Sequence, residues 1–324
     1  MSTISTIFVI LVVVLILLVI GNLVFSMIAE RKNPPQGTLI ECDGVRVHYR
    51  EWGDATAPCV VLFHGNGAMI QDFSISGLID LLAQRHRVLC FDRPGFGHSQ
   101  RPRSRIWTPS TQAALFVKAL KQIGVRDPVV VGHSWGTLVA VALGLREDYP
   151  VRSLVLASGY YFPTWRVDVW LLSGPAVPIV GDLLRYTVAP IIALAILPAM
   201  LRKIFEPRPV PQAFKREFPV SLTLRPKQLR AAAEESALLI PAAAQLQSQY
   251  RRIKCPVRLF HGEEDHFIEC EQSRHLHRAL PHAALHLVQD AGHMVHYADP
   301  VVISQAVEAL PRLDAVFSLQ VGRS

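Results

Sequence analysis

The chain has 324 residues, half of them hydrophobic, and its 33 Lys and Arg against 26 Asp and Glu give a formal charge of +7. That basic surplus is thin and scattered, with no stripe interleaved with aromatics, which argues against nucleic acid as a partner and makes anionic lipid the more natural neighbour. Length and apolar content suit one large α/β domain with an inserted subdomain, and five cysteines without a C-x-x-C pair or zinc-ligand spacing read as reduced thiols rather than a disulfide framework.

Residues 7–28 carry no charge, and about twenty residues at 1.5 Å rise cross a hydrocarbon core of roughly 30 Å. This segment is expected to be a transmembrane anchor. The rival reading is a cleaved signal peptide, but residues 1–6 contain no Lys or Arg, and the stretch 27–29 fits a small-residue cleavage rule poorly. Arg31 and Lys32 follow the span while no cation precedes it, so the positive-inside bias places the C-terminal domain on the cytoplasmic side. Residues 29–37, with Pro34, Pro35 and Gly37, read as a linker.

Asp43-Gly44 between the apolar runs 38–40 and 45–49 is a hairpin signature. Short β-branched and aliphatic runs follow at 59–63, 87–91, 129–131, 153–157, 257–260 and 284–288, with helix-like patterns at 110–124 and 135–147 between them. Strands alternating with helices predict an α/β fold with a mostly parallel central sheet flanked by helices and an antiparallel start. Residues 38–159 and 251–315 would form this core. The alternation stops over 160–250, where Pro-punctuated helical patterns predict an inserted helical lid. Its uncharged middle, 186–201, suits either an acyl-binding, lipid-facing lid or helices packed on the core. With Pro190 and Pro198 inside it, this run is too short and too interrupted to be a second span.

The chemistry concentrates in Gly132-His133-Ser134-Trp135-Gly136, which follows an apolar run and opens a helix pattern. A strand-to-helix turn this tight needs small residues two positions either side of the serine and leaves the serine projecting above the sheet. A serine hydroxyl is a weak nucleophile at neutral pH. It needs an imidazole to take its proton and a carboxylate to fix that imidazole. Asp265, in a loop just past the run 257–260, is the expected acid, with Glu263 and Glu264 as rivals nearer the strand. His293, after Gly292, is the expected base, with His296 as competitor. The oxyanion would be held by the backbone amides of Trp135 and Asn66, the latter in His64-Gly65-Asn66-Gly67 after the run 59–63.

These segments, with Asp92-Arg-Pro-Gly-Phe-Gly-His-Ser99, resemble the α/β-hydrolase superfamily, particularly its members with a lid between the sixth and seventh strands. The resemblance covers residues 39–313. It implies a structural role for residues 92–99, and it argues against dehalogenation and epoxide opening, since members with those activities use aspartate where Ser134 stands. Those aspartate-using members also often have proline shortly after the first His-Gly, where this chain has Asn66-Gly67. The expected function is a membrane-anchored hydrolase cleaving a carboxylic ester with an apolar acyl group through an acyl-enzyme, with no metal or organic cofactor. Alternatives are a carbon–carbon bond or peptide hydrolase using the same three residues, or a silent membrane-bound binding module.

Overall fold

The computed structural model describes residues 2–309, so the outer limit of 315 expected for the core lies outside the described residues. Its sheet is built from β1 (Thr38–Cys42), β2 (Val45–Trp52), β3 (Cys59–Phe63), β4 (Arg87–Phe91), β5 (Val129–His133), β6 (Ser153–Ala157), β7 (Val257–Gly262) and β8 (Ala283–Val288). The order across the sheet is β1-β2-β4-β3-β5-β6-β7-β8. β1 pairs antiparallel with β2, and β2 with β4; every later pairing is parallel. Asp43 and Gly44 both take positive φ, 57° and 72°, as a two-residue hairpin requires.

The inner strands read as continuous apolar runs because both faces of the sheet are covered. Alternate residues go to opposite sides: Val61 and Phe63 join the cluster that includes Phe116 and Leu138, while Val60 and Leu62 join the one that includes Leu78 and Ile303. Helices Pro109–Ile123 and Gly136–Gly144 therefore cover one face, and Leu78–Leu82 and Pro300–Glu308 the other. Parallel β3, β5, β6 and β7 end at one edge, which brings the loops beginning at His64, Ser134, Ser158 and Glu263 together. In open α/β sheets this carboxyl edge is where sites form.

Between β6 and β7 the regular elements are all helical, the longer ones being Val167–Ser173, Val180–Tyr186, Ala189–Phe205 and Pro226–Gln247. Helix Ala189–Phe205 departs from the expectation that two prolines interrupt this region. Pro190 sits in the first turn, where a missing N–H costs nothing, and Pro198 lies inside the helix without ending it.

The N-terminal helix is also longer than expected, Thr3–Lys32 rather than 7–28. Ser2 caps its start by accepting from the Ser5 amide at 3.3 Å. At its end, both the backbone N–H and the side-chain Nδ2 of Asn33 donate to the Ala29 carbonyl before Pro34 stops the helix. The connecting segment thus shortens from 29–37 to 33–37. Among the described residues this is the single unbroken helix long and apolar enough to cross a membrane.

Candidate active site

Ser134 occupies the turn between β5 and helix Gly136–Gly144 with φ at +51°, a conformation that costs a non-glycine residue on the order of 1 kcal/mol or more. The surroundings hold it there. Its amide donates to the Ala157 carbonyl at 2.9 Å, and its carbonyl accepts from the amide and hydroxyl of Thr137 at 3.0 and 2.6 Å. Gly136 is dictated by close approach: a Cβ there would stand 2.1 Å from the Phe63 carbonyl oxygen.

The Ser134 hydroxyl lies 2.9 Å from His293 Nε2, and His293 Nδ1 lies 2.9 Å from Asp265 Oδ2. All three residues are buried. A carboxylate only accepts, so Nδ1 carries the ring proton and Nε2 is left as the acceptor for the serine proton. Asp265 is itself immobilised. Its Oδ1 accepts from the amides of Phe267 and Ile268 at 2.9 and 2.8 Å, and its Oδ2 also accepts from His261 Nε2 at 3.1 Å. Burial on its own raises the Asp265 carboxyl, but His293 and His261 against it outweigh that and hold it well below the usual carboxylate range.

The rivals go elsewhere. Glu264 accepts from the Ala291 amide at 3.1 Å, Glu263 is exposed, and His296 faces Asp72. Asp72, His133 and His296 form a buried cluster whose ligand atoms lie within 4.8 Å of one another. Two imidazoles and a carboxylate are a possible ligand set for a divalent transition ion. Its structural link to the site is the 3.0 Å bond from His133 Nε2 to the His293 carbonyl.

The second loop of the site, His64-Gly65-Asn66, presses on the nucleophile so closely that a Cβ on Gly65 would stand 3.0 Å from Ser134 Cβ. Among the described residues neither the Asn66 nor the Trp135 amide donates to another group. Asn66 Nδ2 donates to the Ala232 carbonyl at 3.1 Å, tying this loop to helix Pro226–Gln247.

Several residues at the site escaped the sequence reading. Arg93, in a segment expected to be merely structural, donates to the carbonyls of His64 at 2.7 Å and Gly65 at 2.9 Å. Its guanidinium is paired with Glu235, and both side chains are fully buried. The Glu235 carbonyl in turn accepts from the Trp135 indole at 3.0 Å. One buried pair therefore links the insertion to both amide-bearing segments. A pair of adjacent acids, Glu234 and Glu235, in an alanine-rich helix was its only sequence signal. Phe267 was also missed; its ring meets the His293 ring edge-on, with centroids 4.9 Å apart.

Removing one partner of a buried ion pair leaves an uncompensated charge, at a cost of roughly 3–5 kcal/mol. Glu235→Gln is expected to lower the melting temperature and reduce kcat. The paired replacement Arg93→Met/Glu235→Leu should recover the stability lost to the unpaired charge but neither the whole of the parent's stability nor its kcat, because the His64 and Gly65 carbonyls lose their donor. Thermal unfolding and steady-state kinetics on the same preparations check both statements.

The buried imidazoles are expected to make the fold acid-sensitive. Burial, with Arg93 adding to it, lowers His64 to about 3, and burial beside His296 and His293 puts His133 well below its ordinary value. Above pH 6.5 these rings are neutral in folded and unfolded chains alike. Below it the unfolded chain takes protons that the folded chain refuses, so stability falls. For His64 alone the loss at pH 5 is roughly 2 kcal/mol. Melting temperature is expected to drop steadily from pH 7 to pH 5, measured in one buffer series of constant ionic strength.

The family model described as alpha/beta hydrolase fold matches residues 58–300. An uncharacterized hydrolase, YugF of Bacillus subtilis (strain 168), is 25% identical over 268 residues, covering 82% of this chain and 94% of that protein. A 2-hydroxymuconate semialdehyde hydrolase of Pseudomonas putida is 24% identical over 302 residues, covering 90% of this chain and all of that protein (100%). The crystal structure of a membrane phospholipase A, described as a bacterial virulence factor, superposes with a TM-score of 0.64 at 23% identity, covering 96% of this chain and 99% of that one.

Proposed function

The chain belongs to the alpha/beta hydrolase fold family, and on that premise we propose that it is a membrane-anchored serine hydrolase that cleaves carboxylic esters with apolar acyl groups. The observation that carries this reading is the pair of 2.9 Å hydrogen bonds linking Ser134, His293 and Asp265. In the proposed cycle, Ser134 Oγ attacks the ester carbonyl as His293 Nε2 takes its proton. The amides of Asn66 and Trp135 receive the oxyanion, each worth on the order of 3 kcal/mol in the transition state. His293 then protonates the departing alcohol. It next deprotonates the water that releases the acid from Ser134.

The preference for an apolar acyl group is supported by the aliphatic helices of residues 160–250, which we take as the lid, and by the anchor. Helix Thr3–Lys32 would hold the domain at the bilayer, with Arg31 and Lys32 on the cytoplasmic side. The structural likeness to a membrane phospholipase A is one of fold and extends over 96% of the chain. A second reading, the same relay acting on a carbon–carbon bond, is favoured by the semialdehyde hydrolase relative. The test is a series of p-nitrophenyl esters of increasing acyl length on the detergent-solubilised chain, with product analysis. Turnover that rises with acyl length supports the proposal. Preference for short polar esters removes the lipid part, and inertness toward all esters removes ester cleavage itself.

A further inference from the structure

We propose that the helical insertion seats an apolar face in the same bilayer leaflet that holds the C-terminal half of helix Thr3–Lys32, so that the candidate active site is served directly from lipid. The proposal rests on the anchor reading above and adds the partner surface and its depth. The insertion is joined to the N-terminal helix inside the uncharged run, not merely beside it. Asn22 Nδ2 donates to the Arg185 carbonyl at 2.9 Å, in a buried contact. At 1.5 Å per residue Asn22 stands about 9 Å inside the run that ends at Ile28. Helix Val180–Tyr186, which carries Arg185, is therefore held below the level where the span leaves the membrane. The partly or fully covered positions of the N-terminal helix, Leu15, Leu18, Val19, Asn22, Ser26 and Ala29, fall along one face, at the spacing of successive helical turns. Nearer its end, Glu30 pairs with Arg225 at 2.7 Å and Lys227 at 2.8 Å, which fixes the angle of the joint.

The surface held at that depth is apolar. Trp165 is 81% exposed, Trp170 70%, Leu171 76% and Ile179 82%, and Ile191, Ile192 and Leu194 continue the patch along helix Ala189–Phe205. About a dozen large apolar side chains are exposed between Trp165 and Ile196, a clustering that marks an interaction surface rather than the scattered single residues of a water-facing one. The charges within this region are matched: Asp182 pairs with Arg185 and with Arg103 of the core, and Arg166 with Asp168. Exposed Arg202 and Lys203 close helix Ala189–Phe205, where long cationic side chains reach headgroup phosphates. Helices Val167–Ala176 and Val180–Tyr186 meet at 88°, the shape of a segment that enters a leaflet and returns.

This face adjoins the chemistry. Arg166, between Trp165 and Val167, lays its guanidinium over the Phe267 ring at 5.3 Å, and that ring packs on His293. Two side chains separate lipid from the base of the proposed relay.

The test uses the full chain reconstituted into phosphatidylcholine–phosphatidylglycerol vesicles whose acyl chains carry bromine at shallow or deep positions. Of the other three tryptophans, Trp107 and Trp135 are buried and Trp52 is half-buried at the end of β2; all three remain in Trp165→Phe/Trp170→Phe, so the quenching lost in that variant reports on Trp165 and Trp170. The expected result is quenching, strongest with shallow bromines, that is lost in Trp165→Phe/Trp170→Phe. A chain that floats with the vesicles and hydrolyses a soluble ester, yet shows no quenching at any depth, overturns the proposal while the proposed function stands. So does a chain whose tryptophans are shielded by a second copy, seen as cross-linking through this face without quenching. A chain that does not float overturns the anchor and this proposal together.

Discussion

Ser134→Ala is expected to lower kcat by on the order of 10⁵ to 10⁶ and to abolish labelling by a fluorophosphonate, while the melting temperature stays close to that of the parent chain. The reasoning separates the chemical from the structural role of this position. Among the described residues the hydroxyl makes one hydrogen bond, to His293 Nε2, and the strained turn around it is maintained by backbone bonds to Ala157 and Thr137 that alanine retains. What alanine removes is the atom that forms the acyl-enzyme, so residual turnover would come only from water held by the Asn66 and Trp135 amides. Single-turnover kinetics with a chromogenic ester and mass measurement of the probe adduct check both. A variant that labels or turns over like the parent would place the nucleophile elsewhere.

Much of this arrangement was readable because local sequence and local structure agree. The runs 59–63, 87–91 and 153–157 coincide with β3, β4 and β6, since strands covered on both faces leave an unbroken apolar signature. Ser134 was legible because the turn that raises it forbids a side chain at Gly136. The contacts that sequence hid are those joining distant segments. Arg93 and Glu235 lie 142 positions apart, and Asn22 and Arg185 lie 163 apart. Neither pair belongs to a periodic pattern, and each member alone looks like an ordinary helix or loop residue. Helix Ala189–Phe205 misled for a related reason. Proline disfavours helix interiors by a local steric rule, yet Pro198 lies inside a helix that continues past it to Phe205.

Asp265→Asn tests the relay at its other end, and the expected loss is roughly four orders of magnitude in kcat at neutral pH. Every group facing this carboxylate is a donor: the amides of Phe267 and Ile268 at Oδ1, and His261 Nε2 and His293 Nδ1 at Oδ2. An asparagine offers one accepting oxygen and one donating nitrogen. Backbone amides cannot exchange their role, so the oxygen is expected to stay with Phe267 and Ile268, which turns the NH₂ toward the imidazoles. His293 must then accept at Nδ1 and carry its proton on Nε2, where it no longer takes the serine proton. Glu263→Gln, which removes the same charge from an exposed position two residues away, should leave kcat within a few-fold. Equal losses in both variants would assign the effect to net charge. A loss confined to Asp265→Asn would assign it to the tautomer that the carboxylate imposes.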